Sequence, residues 1–210
     1  MRLLPGILAM TVIVVASNIL VQFLLWDGLL TWGAFTYPLA FLVTDVMNRV
    51  YGPTAARRVV LAGFVAGIAC SLVGTQVMLD YGPAVTLRVA TGSAVAFACA
   101  QLLDITVFNR LRQGSWWQAP LGASVAGSVL DTVVFFAVAF SATLSPLFPL
   151  WAVEQTAWAQ DMTPLLTTGP QMPMWISLAL ADLGVKLVIA LVALVPFRII
   201  IAQILASRAA

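Results

Sequence analysis

The 210-residue chain has no histidine, only two cysteines and few charges, with Asp, Glu, Lys and Arg making up 9% of it where soluble domains carry about 25%. Each shortage closes off a class of function. Without histidine the chain lacks the commonest metal ligand and the commonest general base, which excludes zinc hydrolases and Ser-His-Asp enzymes. Cys70 and Cys99 both lie inside apolar runs, where free cysteine behaves as a small hydrophobe, so neither a disulfide nor a metal site is expected. A net charge of +2 is too small for a nucleic-acid surface. With no nucleophile constellation and no cofactor motif either, the chain does not read as an enzyme.

What it has in abundance is hydrophobic sequence: 62% of residues, with a mean hydropathy of +1.03. The apolar runs cover about residues 3–25, 31–50, 59–79, 85–109, 120–141 and 174–197. Each approaches or exceeds the ~20 residues that a helix needs to cross a ~30 Å hydrocarbon core. The expectation is one all-α, six-helix membrane domain over 1–210, its first helix retained rather than cleaved as a signal peptide. Arg49, Arg57, Arg58, Arg110, Arg112 and Arg198 gather at one set of run ends, and Asp27, Asp80, Glu154 and Asp161 at the other. By the positive-inside rule both termini are then cytoplasmic and 142–173 is an outer loop, a candidate lid or a plain amphipathic connector with tryptophan anchors. Arg88 falls at an outer end against this bias, where snorkelling toward Asp80 is its expected role and binding an anionic part of a ligand the alternative. In the third run Gly63, Gly67, Cys70, Ser71 and Gly74 allow close helix packing.

Against this background the polar residues inside the runs stand out. Gln101 to Phe108 and Ser128 to Phe135 both place an aspartate, Asp104 or Asp131, in a long apolar stretch. Aspartate near the centre of a membrane helix costs roughly 2.5 to 3.5 kcal/mol, so each needs a partner, a cavity or a task. Phe97, Gln101, Asp104 and Phe108 share one stripe of the fourth run, and Ser124, Ser128, Asp131 and Phe135 one stripe of the fifth. Asn18 and Gln22 stand four apart on the first run, Phe41 and Asp45 lie on the second, and Asp182 and Lys186 stand four apart on the last, where opposite charges meet. Such a set suits a flat polar heterocycle. Rings of Phe97, Phe108 or Phe41 sandwich its face, a carboxylate accepts paired N–H donors, and amides read the remaining edge. The same carboxylates could instead carry protons or sodium, or fix helix register through an Asp–Lys network. Asp131 falls near mid-membrane beside Lys186 and Asp104 deeper toward the cytoplasm, which favours Asp104 with Gln101 for reading a base edge.

Over nearly its whole length the chain resembles the bacterial inner-membrane queuosine precursor transporters, grouped with vitamin uptake transporters. The resemblance is carried by Ser17-Asn18 with Gln22, Thr31-Trp32-Gly33-Ala34-Phe35 leading to Pro38, Phe41 and Thr44-Asp45, and Ala56-Arg57-Arg58. It continues through Gln101 to Arg112 with Trp116-Trp117, Ser128 to Phe140 with Asp131-Thr132, and Asp182 with Lys186. It implies multi-pass insertion in the bacterial inner membrane and a fold similar to the substrate-binding subunits of energy-coupling-factor transporters. It also implies import of the cyano and aminomethyl 7-deazaguanine precursors of queuosine. The partners expected are that small molecule and the lipid bilayer, with no nucleic acid and no cofactor. Two alternatives stay open: a substrate-capture subunit needing an ATPase module, and a proton-coupled transporter of another nucleobase or vitamin. A homo-oligomer or an energising partner is likewise open.

Overall fold

Proline and glycine punctuate the apolar runs and decide where each helix starts and stops. The computed structural model describes residues 3–21, 23–80 and 82–209, so the candidate Gln22 lies outside the described residues. Helix α1 (Leu4–Leu20) takes Pro5 in its first turn, where a missing N–H leaves no helical bond unmade. The second run is broken in two. After a short antiparallel hairpin pairing Leu24–Leu25 with Leu30–Thr31 come α2 (Gly33–Thr36) and, beyond Pro38, α3 (Leu39–Tyr51). Gly52, at φ 84° in the left-handed region that favours glycine, ends α3, and Pro53 opens α4 (Pro53–Gln76). A second hairpin, Met78–Leu79 with Gly82–Pro83, leads to α5 (Leu87–Leu111), whose Thr86 side chain caps the N–H of Val89.

Helix α6 (Gln118–Phe140) follows α5 through a short turn, and the two pack along their length. The 142–173 segment contains α7 (Leu150–Glu154), short 3₁₀ stretches at Ala142–Leu147, Ala157–Gln160 and Leu165–Thr167, and a hairpin pairing Met162–Pro164 with Gln171–Pro173. The last run forms α8 (Met174–Val192) and α9 (Leu194–Ala209). It does not end at 197 as expected from Pro196, because that proline sits in the first turn of α9, where it is tolerated. Among the described residues four helical stretches are long and apolar enough to cross a membrane: Pro53–Gln76, Leu87–Leu111, Gln118–Phe140 and the combined Met174–Ser207. Helix α1 is apolar but shorter, at 17 residues. This is the architecture of a helical membrane protein, with Leu61, Val65, Leu72 and Val73 of α4 and Val188, Leu191, Val192 and Val195 of α8 and α9 turned outward.

Helix α3 lies at the centre, packed against α1, α4, α5, α6 and α9. Small residues let its neighbours approach. A Cβ at Gly63 would stand 2.5 Å from Met10 of α1, and one at Gly127 of α6 would stand 2.7 Å from the Phe41 ring of α3. The main core joins Met10, Val14, Ala40, Met47, Val59, Phe97 and Ile105 from four helices. Arg88 departs from its expected snorkelling. It is 1% exposed and donates to the carbonyls of Val138 and Ser141 and the hydroxyls of Ser145 and Thr156, with its guanidinium 5.1 Å from the Phe148 ring centre. Its Nε and one terminal nitrogen satisfy carbonyls left open at the end of α6, and its other terminal nitrogen reaches Ser145 and Thr156, which ties the 142–173 segment to the bundle.

Candidate functional site

One cation and two carboxylates form the most polar point inside the bundle. Lys186 of α8 lies 2.7 Å from Asp131 of α6 and also donates to Asp182, one turn away on its own helix. Its third donor reaches the Thr132 hydroxyl at 3.3 Å, and that hydroxyl donates to Asp182 at 3.0 Å. Asp131 accepts a further bond from the Tyr37 hydroxyl at 3.0 Å, and the Lys186 ammonium sits 5.5 Å from the centre of the Tyr37 ring. All three ammonium donors are therefore used, which is what burial of a lysine demands. Two carboxylates against one ammonium leave an excess negative charge at this wall.

That wall faces a cavity of about 380 Å³, within the ~300–1,000 Å³ usual for small-molecule sites. Asn18, Phe97, Asp131, Asp182 and Lys186, all expected from the sequence, line it. So do Tyr37, Phe64, Phe135, Phe140 and Trp158, the last from the 142–173 segment. Asn18 donates to the carbonyl of Val14, one turn back on α1. The cavity is thus walled by aliphatic and small residues with several aromatic rings among them, and charged on one side. Tyr37 and Phe64 were not among the expected contacts. A tyrosine before proline in the middle of an apolar run carries a polar tip that needs a partner, and that was the available signal for Tyr37.

The remaining candidates lie elsewhere. Phe41, 1% exposed and edge-on to Tyr37, and the Thr44 hydroxyl bonded to Gln101 at 2.6 Å form a layer below the cavity. One turn further toward the arginine-bearing ends, Asp45 and Asp104 face each other, and Ser124 donates to Asp45 at 3.2 Å. Phe108 packs edge-on against Phe197 in a core with Ala119 and Ala123. Ser128 lines a narrow cleft that also touches Asp45 and Lys186. The sequence candidates therefore divide into two polar clusters separated by the Phe41 and Thr44–Gln101 layer.

A bundle of apolar helices around a largely apolar cavity with a charged wall defines a membrane protein built to hold a small molecule within its span. The chain belongs to the family whose model is described as "Putative vitamin uptake transporter", matched over residues 31–201, and it is accordingly a transporter rather than an enzyme. It is 31% identical over 191 residues to the "Queuosine precursor transporter" of Escherichia coli (strain K12), covering 86% of this chain and 76% of that one. A "Probable queuosine precursor transporter" of Haemophilus influenzae is 35% identical over 127 residues, 55% of this chain and 54% of the relative. One of the same description from Bacillus subtilis (strain 168) is 33% identical over 129 residues, 52% of this chain and 56% of the relative. No solved structure matches the chain.

Proposed function

We propose that this protein imports 7-deazaguanine precursors of queuosine, the cyano and aminomethyl forms, across the bacterial inner membrane, holding the heterocycle in the 380 Å³ cavity. The observation that carries this is the Asp131–Lys186–Asp182 network set into the wall of that cavity. A deazaguanine offers a flat π face and paired N–H donors. Phe97 with Phe64 or Phe135 supplies stacking surfaces, and the carboxylates of Asp131 and Asp182 supply acceptors. The excess negative charge suits the aminomethyl cation. Asn18 reads an edge from α1, and Tyr37 holds Asp131 in orientation. The names of the three relatives point to the same substrate class.

In this reading α1, α2 with α3, α4, α5, α6 and α8 with α9 make six crossings. The arginine-bearing ends and both termini face the cytoplasm, and the 142–173 segment covers the cavity from outside. The reading is tested in a bacterial strain unable to make the precursors and lacking its own importer. Expression of this chain with either precursor in the medium should restore queuosine in tRNA. Absence of queuosine at a normal membrane level of the chain would refute it.

A further inference from the structure

The second polar cluster has no cation. Asp45 of α3 and Asp104 of α5 are 2% and 0% exposed, and they face each other between two hydrogen bonds that join the same helices, Thr44 to Gln101 and Asn48 to the carbonyl of Ile105. Among the described side chains no Lys or Arg bonds either one. Lys186 is engaged by Asp131 and Asp182, and Arg49 and Arg112 each donate to the other's backbone carbonyl. Arg57, Arg58 and Arg110 are exposed, and Arg198 lies over the Trp116 ring. Two carboxylates facing each other in a buried, cation-free place cannot both be ionised, so the pair is stable when a proton is shared between them.

The surroundings point to a ligand as well. Among the described residues Asn48 Oδ1 and Gln101 Nε2, on residues fully buried one turn from the pair, have no hydrogen-bond partner, nor does either oxygen of Asp104. Ser128 Oγ is also unpartnered among the described residues, and Ser128 lines the cleft that reaches both Lys186 and Asp45. Ser128 lies one turn from Asp131 on one side and one turn from Ser124 on the other, and Ser124 donates to Asp45. Ser128 and Ser124 therefore stand, one turn apart along α6, between the cavity wall at Asp131 and the buried pair.

We propose that Asp45 and Asp104 form a proton-binding site that couples substrate passage to proton entry, linked to Asp131 through Ser128 and Ser124. This rests on the import function proposed above. The device works through helix spacing. Protonated, the pair holds α3 against α5; deprotonated, the two carboxylates repel. Tyr37 just ahead of α3 and Phe97 on α5 line the cavity, so a change in that spacing moves two of its walls together.

Two measurements on the purified full-length chain test this. Infrared spectroscopy without substrate should find a protonated carboxyl band that disappears in Asp104→Asn and in Asp45→Asn; a wild-type chain without that band would overturn the proposal. In liposomes, an inside-alkaline gradient of one pH unit should raise accumulation of the aminomethyl deazaguanine about tenfold, the free energy of one proton per substrate. Asp104→Asn should keep substrate binding and counterflow exchange while losing that response. A retained response, or accumulation that follows sodium and ignores pH, would overturn the coupling. If the wild-type chain neither binds nor exchanges the deazaguanine, the substrate assignment fails while the infrared band still decides the proton site.

Discussion

Lys186 donates to Asp131, Asp182 and Thr132 at once, so replacing it by methionine strands two carboxylates in an apolar wall. Breaking a buried ion pair by removing one partner costs about 3–5 kcal/mol. Lys186→Met should therefore lower the melting temperature of the detergent-solubilised protein sharply, and Asp131→Asn added to it should recover part of the loss by removing one stranded charge. A thermal melt in which Lys186→Met matches wild type would show that the network contributes nothing to stability. The Asp182 and Lys186 pairing was legible in the sequence because four residues on a helix is a contact distance. Asp131 was legible as an acid that needed a partner. The stripe holding Phe97, Gln101, Asp104 and Phe108 gave their shared face correctly, yet periodicity carries no depth. Phe97 lines the cavity, while Asp104 lies about two turns further along, ~10 Å at ~1.5 Å per residue. What comes between them on the neighbouring helix, Phe41 and Thr44, is a tertiary fact with no local signature.

At the scale of the elements, close approach governs the bundle. A Cβ on Gly127 meets the Phe41 ring at 2.7 Å, and Phe41 is itself fully enclosed and cannot yield. Gly127→Ala should destabilise the protein by about 1–3 kcal/mol, the usual cost of overpacking. Gly184 of α8 is exposed with nothing within 4 Å of an added Cβ, so Gly184→Ala should be neutral or stabilise by up to about 1 kcal/mol through helix propensity. Parallel thermal melts of the two variants check the difference, and equal effects would contradict the packing described. The apolar runs 85–109 and 120–141 overlap α5 (Leu87–Leu111) and α6 (Gln118–Phe140), whereas α4 opens at Pro53, ahead of the run at 59–79. The breaks were harder. Pro38 splits the second run into α2 and α3, whereas Pro53 and Pro196 start helices, and one residue type gives both outcomes depending on whether it falls in a first turn. The turns within 142–173 were not legible either, because their stability comes from Arg88 bonding to them from α5.

For the whole molecule, the import function proposed above requires the cavity to open toward the outer half and the Asp45–Asp104 pair to lie toward the cytoplasmic half, with the Phe41 and Thr44–Gln101 layer between them. The orientation is tested with cysteine reporters in a chain whose Cys70 and Cys99 are replaced by alanine. A membrane-impermeant maleimide applied to intact spheroplasts should label Thr168→Cys and leave Ser115→Cys untouched until the cells are lysed; the reverse pattern would invert the topology. The most direct test of the central claim is equilibrium binding of the aminomethyl deazaguanine to the purified wild-type chain and to Asp131→Asn. That variant keeps Lys186 paired one-to-one with Asp182, so the fold is preserved and the comparison isolates the ligand. Losing one charged hydrogen-bond acceptor should weaken binding at least tenfold, on the order of 1.5–3 kcal/mol. Unchanged affinity in Asp131→Asn would contradict the assignment of this cavity as the substrate site.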